Sequence, residues 1–98
     1  MIVSKLLERL IAGDTAVLHD AVVLVRGDGA RFEGRDAVLA MFEASEAGMR
    51  YVVIGRAATR VDVALRVEGV PGEVRFGLEG RCEGELLCEV RVLTHHLV

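Results

Sequence analysis

The chain has 98 residues, of which 52% are hydrophobic and 28% charged, and a formal net charge of -3. That is enough for one hydrophobic core and too little for two, and the balance is that of a folded globular domain rather than a disordered or fibrous chain. The acidic balance supplies no basic face for phosphates, and one Tyr with no Trp makes a poor stacking platform, so the composition argues against a nucleic-acid partner. Arginine outnumbers lysine 11 to 1, which beside abundant Ala and Gly reads as GC-rich coding bias rather than as anion recognition.

The longest apolar run, Ala37 to Phe42, falls far short of the ~20 residues a spanning helix needs, so no membrane is expected. Glu8 and Arg9 follow Leu6-Leu7 too closely for a signal peptide. With two cysteines and no export signal, a reduced, cytoplasmic protein is expected.

Val3, Leu6, Leu7 and Leu10 recur at helical spacing, which predicts an amphipathic helix over about residues 2–12, ended by Gly13. One turn over Thr15 to His19 then leads into "AVVLVR", a β-branched strand from Ala21 to Arg26. Gly27-Asp28-Gly29 supplies a reversal, and Ala30 to Glu33 returns. In "FEGRDAVLAMF" Gly34 frees the backbone, Asp36 is expected to cap a second helix, and Val38, Met41 and Phe42 form its buried stripe, with Gly48 as a stop.

The remainder reads as strand. Tyr51 to Ala58 is one, and "RVDVALRVEG" alternates, with Val61, Val63, Leu65 and Val67 on one face and Arg60, Asp62, Arg66 and Glu68 on the other. Pro71-Gly72 suits the centre of a type II turn. A three-residue loop, Cys82-Glu83-Gly84, would pair Leu78 with Cys88 and Arg81 with Glu85, placing both apolar sets of the last hairpin on one face. With Cys82 in the loop and Cys88 in a strand, no disulfide is expected between them.

Helix, short connection, strand pair, helix, then long strands is an α+β order with helices on one side of a sheet. The chain resembles the nuclear transport factor 2-like superfamily, which includes SnoaL-like polyketide cyclases, ketosteroid isomerases and limonene epoxide hydrolases. The likeness is carried by "AGD" at Ala12 to Asp14, "HDAVVL" at His19 to Leu24, "FEGRDAVLAMF" at Phe32 to Phe42 and "EGELLCEVRV" at Glu83 to Val92. It implies one cone-shaped domain over residues 1–98, a curved antiparallel sheet with helices packed on its concave face. It also implies a ligand pocket between helices and sheet and a homodimer formed through the sheet's other face. The stretch from Gly13 to Ala21 is shorter than the second helix many relatives carry there, which implies a shallow or open pocket.

Fold alone does not name an activity. Ketosteroid isomerases use an Asp on the first strand, where this chain has Val25, and an oxyanion-stabilising Tyr on the first helix, where residues 1–13 have none. Limonene epoxide hydrolases use Arg-x-Asp on a middle strand and a second Asp on the last. "TRVDV" resembles the first half and gives Arg60 and Asp62 as candidate catalytic residues, but Arg91 stands at the second position. If Val61, Val63 and Leu65 face the helices, as the alternation favours, Arg60 and Asp62 point outward; the alternative puts Arg60, Asp62, Glu79, Glu89 and Arg91 in the pocket. One extra residue in "GELLCEVRV" relative to the usual closing hairpin would also bring Val90 or Val92 inward.

The reading favoured by these residues is a domain binding a small, largely apolar molecule in a pocket lined by Leu6, Leu10, Val23, Val25, Phe42 and Val63, without cofactor or metal. The alternatives are a SnoaL-like or epoxide-hydrolase-like enzyme using Asp62 as acid with Arg60 orienting it, and a regulatory or protein-interaction module. His95-His96 does not make a metal site, because neighbours on a strand point to opposite faces. His19-Asp20 is expected to serve local turn bonding.

Overall fold

A computed structural model of the chain describes residues 3–43 and 48–94, without the side chains of 41–43 and 94. Helix α1, Val3–Ile11, turns Ser4, Leu6, Leu7 and Leu10 into the core. It closes in a Schellman motif: Gly13 takes φ +98°, and the amides of Gly13 and Asp14 donate to the carbonyls of Leu10 (3.0 Å) and Arg9 (2.9 Å). Asp14 then caps a 3-10 turn, Thr15–Val17, accepting from the Ala16 amide at 3.1 Å and from Arg9 Nη2 at 2.6 Å.

Strand β1, Leu18–Val25, starts three residues earlier than its apolar run suggests. Its ladder is irregular between Leu18 and Val23, and there the Ala21 amide donates to His19 Nδ1 at 3.0 Å. His19 therefore makes the local turn bond, and Asp20 is exposed. A reversal with Gly29 at φ +89° leads to the short strand β2, Arg31–Glu33.

Helix α2, Arg35–Glu43, begins one residue before Asp36. The N-cap is Gly34, whose φ is +90° and whose carbonyl accepts from the Val38 amide at 3.1 Å. Asp36 is thus not the cap but lies in the first turn, where its charge still meets the positive end of the helix dipole. Val38 is buried as expected; the side chains of Met41 and Phe42 lie outside the described residues, as do His95 and His96.

Four long strands follow: β3 (Met49–Arg56), β4 (Arg60–Val67), β5 (Val74–Glu83) and β6 (Leu86–Thr94). The six strands form one curved, unclosed sheet in the order β2-β1-β6-β5-β4-β3, antiparallel except for the β1–β6 pair. Helix α1 packs on β4, β5 and β6, and α2 packs on β1 and β2, so both cover one face and share one core. Among the described residues no helix is long and apolar enough to cross a membrane.

The connection after β4 has one bend more than expected, Gly72 taking the positive φ that a Pro71-Gly72 turn requires, and the last hairpin turns differently. The first bend after β4 is closed by the Val70 amide donating to Val67 at 3.1 Å, with Gly69 at φ +79°; Gly72 (φ +88°) bends the chain again beyond Pro71. The β5–β6 hairpin has a two-residue turn, Gly84-Glu85, with Glu83 opposite Leu86 and Cys82 in the strand opposite Leu87. Arg81 then meets Glu89, not Glu85, and Cys88 is the extra residue of a bulge. Beyond it Leu78 faces Val92 and Gly80 faces Val90, so the bulge achieves the shared apolar face that a longer loop would have provided. Both cysteines are free thiols.

Candidate functional site

The register sorts side chains into rows across the inner, helix-facing side of the sheet. Nearest the β4–β5 turn stand Tyr51, Leu65 and Val74; next come Val53, Val63 and Phe76. Behind these lie Val61, Leu78 and Val92, and then Gly80, Val90, Leu24 and Phe32. Exposure is greatest in the first row, where Val74 is 61% exposed and Tyr51 and Leu65 are half-buried; Val63, Val61, Val90 and Leu24 are at 0%, and Phe32, on the edge strand β2, is again partly exposed. The full cover has a simple cause. Helix α1 lies across the deep rows, where Val3 and Leu7 come so close to Gly80 that a β-carbon there would stand 2.9 Å and 3.1 Å from them.

Several apolar side chains border this core without being fully covered. Phe32, Leu39, Tyr51, Val53, Phe76 and Val92 pack against the core while remaining partly exposed. Tyr51 and Phe76 meet edge to face, with centroids 6.2 Å apart and planes at 88°. On the far side the Arg26 guanidinium sits 5.9 Å from the Phe32 ring centroid. Three of the four aromatic residues of the chain therefore stand on this inner surface, where rings offer contact area at small entropy cost.

The outer face is polar. Arg60 Nε donates to Asp62 Oδ1 at 3.0 Å there, and the two side chains are 30% and 41% exposed. The alternation of Val61, Val63 and Leu65 toward the helices requires this placement. In register, Arg60 lies beside Glu79 and Asp62 lies between Gly77 and Gly55. Further along, Glu89 accepts from Arg91 Nε at 2.6 Å and Arg81 Nη2 at 3.2 Å, and the Arg91 contact above all holds its carboxyl below the usual range.

Of the residues expected to line one pocket, Leu6, Leu10 and Val63 come together, fully buried within the core. Val23 and Val25 do not join them. They alternate with the inward Val22 and Leu24 and lie beside Glu89 and Arg91 on the outer face, so they cannot line the same cavity. Phe42 lies outside the described side chains. Sequence reasoning missed Tyr51, Leu65 and Phe76, although the alternation that correctly oriented Val63 also orients Leu65.

Against solved structures, the whole architecture is matched. A protein from Kribbella flavida, described provisionally as a ketosteroid isomerase, superposes with a TM-score of 0.75 at 15% identity, covering 98% of this chain and 73% of that one. The fold is that of the NTF2-like superfamily. An NTF2-like protein of unknown function from Burkholderia pseudomallei matches with a TM-score of 0.66 at 21% identity, over 92% of this chain and 85% of that one. A protein with a ketosteroid isomerase-like fold from Catenulispora acidiphila, solved in complex with trimethylamine, matches at 0.61 and 15% identity, over 88% and 75% of the two chains. No family model matches the sequence, and no curated protein matches it. At these identities the likeness establishes the fold and assigns no activity.

Proposed function

We propose that this chain is a single NTF2-like domain, residues 1–98, that holds a small, largely apolar molecule in the cup formed by the shallow inner rows. The observation that carries this reading is the uneven cover: apolar side chains of the core are fully packed, while Tyr51, Leu65 and Phe76 toward the β4–β5 turn are half-buried. A ligand laid on Tyr51, Phe76 and Val92 removes that surface from water, at about 25 cal/mol per Å² of apolar area. Val63, with Leu6 and Leu10 behind it, is the floor. The trimethylamine complex of the Catenulispora acidiphila protein gives precedent for a small molecule bound to this fold.

Asp62 has no part in that cup. It stands with Arg60 on the other side of the sheet, so an acid role would need a substrate bound outside. The binding reading is therefore preferred over an epoxide-hydrolase-like enzyme. The same outer face is the proposed homodimer surface, with ion-paired rows giving a polar contact. Two free thiols suit the reducing cytoplasm.

The test is titration with N-phenyl-1-naphthylamine, a neutral apolar fluorophore. Saturation at one probe per chain, lost in Phe76→Lys and kept in Arg60→Gln, is expected. Absence of saturable binding to the folded protein, or its retention in Phe76→Lys, would overturn the reading.

A further inference from the structure

The arginines of this chain are almost all neutralised. Nine of the eleven form ion pairs with acids: Arg9 with Asp14, Arg26 with Asp28, Arg31 with Glu33, Arg56 with Glu8, Arg60 with Asp62, Arg66 and Arg75 with Glu73, and Arg81 and Arg91 with Glu89. Arg35 donates instead to the Thr15 carbonyl at 3.3 Å. Arg50 has neither kind of partner: among the described residues no acid pairs with it and it makes no side-chain hydrogen bond.

Its position makes this costly. The register sets Arg50 directly opposite Arg66 on the outer face, where like charges repel. The nearest compensation is already divided, since Glu73 accepts from Arg66 Nε at 3.1 Å and from Arg75 Nε and Nη2 at 3.0 and 2.8 Å. Beside the pair lies an open depression of about 440 Å³, lined by Gly48, Met49, Arg50, Arg66, Val67 and Glu68. Glu68, the acid in that lining, folds over Gly48, with its Oε2 3.6 Å from where a β-carbon of residue 48 would stand.

We propose that Arg50 and Arg66 together bind an oxyanion here, the carboxylate or phosphate group of a small molecule. Neighbouring cross-strand side chains rise about 5 Å apart. Two guanidinium forks at that spacing can converge on one anion with charge-assisted hydrogen bonds, and the anion removes their repulsion. The chain as a whole is acidic, so the attraction is local to the notch. The site lies on the other side of the sheet from the proposed apolar cup and does not depend on it.

The test is NMR titration of the labelled protein with inorganic phosphate and, separately, with succinate, at constant ionic strength set by chloride. Saturable shifts are expected at the Arg50 and Arg66 side-chain Nε–H signals and at the amides of Gly48 and Glu68. Arg50→Gln and Arg66→Gln should each weaken binding by about tenfold or more, as loss of a charge-assisted bond implies, while Arg81→Gln leaves it unchanged; circular dichroism checks that the variants fold. Saturation by phosphate alone assigns a phosphate carrier, by succinate alone a carboxylate, and by both a general oxyanion receptor. Linear shifts of equal size at all arginines, or undiminished binding in both variants, would overturn the proposal.

Discussion

The Arg60 guanidinium lies across Gly77, with Nη2 2.8 Å from the place a β-carbon on residue 77 would take. Gly55 flanks the same ion pair from the other side, its would-be β-carbon 3.3 Å from Asp62 Oδ2. The pair thus lies flat in a trough floored by two glycines. Gly77→Ala should fill the trough and push Arg60 aside. The displaced group is the end of a long, partly exposed side chain, and a pair of that kind contributes about 0–1 kcal/mol. Alanine also restores about 0.5–1 kcal/mol of backbone entropy. The substitution is therefore expected to change stability by less than about 1 kcal/mol, read from urea melts; a loss well beyond that would mean the pair is held far more rigidly than its exposure implies.

Gly80→Ala, three residues along the same strand, should behave oppositely. Its β-carbon would meet Val3 Cγ1 at 2.9 Å, Leu7 Cδ2 at 3.1 Å and Leu87 Cδ2 at 3.2 Å. Leu7 and Leu87 are completely buried, so neither can swing away into solvent. Overpacking of this kind costs about 1–3 kcal/mol. The expected outcome is a lower urea midpoint with an unchanged slope, and equal stability of the Gly77→Ala and Gly80→Ala variants would contradict the assignment of Gly80 to the packed end.

These contrasts mark what the residue pattern could convey. Strict alternation in "RVDVALRV" orients β4, because each face has its own chemistry, and Arg60 and Asp62 went outward with it. "AVVLV" carries no such information: it is apolar at every position, and which of Val22 to Val25 point inward is decided by pairing with β6 and by the irregularity at His19. The cap of α2 is not legible in the same way, because an Asp is the stronger local signal, whereas the helix starts where Gly34 adopts positive φ. The proposed cup is not local at all. Tyr51 and Phe76 are half-buried while Val63, beside Phe76 in the register, is fully covered, a difference set by how the helices lie over the sheet.

Acid should destabilise the domain through a few named carboxylates. Asp14 is held below its ordinary value chiefly by the Arg9 hydrogen bond, Asp28 by the Ala30 amide and then Arg26, and Glu73 by Arg75 and then Arg66. Each binds a proton less readily folded than unfolded, so its contribution is complete above the ordinary value and is lost as pH falls through the folded one. Stability is expected to decline from about pH 4.5, the ordinary value for glutamate, downward. Asp28 is exposed and Asp14 and Glu73 are partly so, so the decline is shallow and salt lessens it. Urea midpoints measured from pH 6 to pH 3 check this, and Glu73→Gln should flatten the slope; a midpoint that does not fall with pH, or a slope unaltered by that substitution, would refute it.

The bulge at Cys88 makes a sharper forecast about register. Cys82 faces Leu87 and Arg81 faces Glu89, so Cys88 is the residue left without a partner, its thiol donating to the Arg81 carbonyl at 3.3 Å. Deleting Cys88 leaves a regular ladder with the same facing pairs: Leu87 inward, Glu89 outward, Val90 inward. The variant should fold, with Leu78 still opposite Val92, and lose no more than about 2 kcal/mol, within the range of ordinary single changes. Deleting Arg91 instead moves Val92 to the outer face and Leu93 into the inner row, and every later side chain follows, because a slip of one residue exchanges the two faces. That variant is expected to lose cooperative unfolding. Cross-strand contacts between Leu78 and Val92 in NMR spectra, together with urea melts, separate the two outcomes, and a destabilisation by the first deletion as large as that by the second would show that the bulge is required rather than merely accommodated.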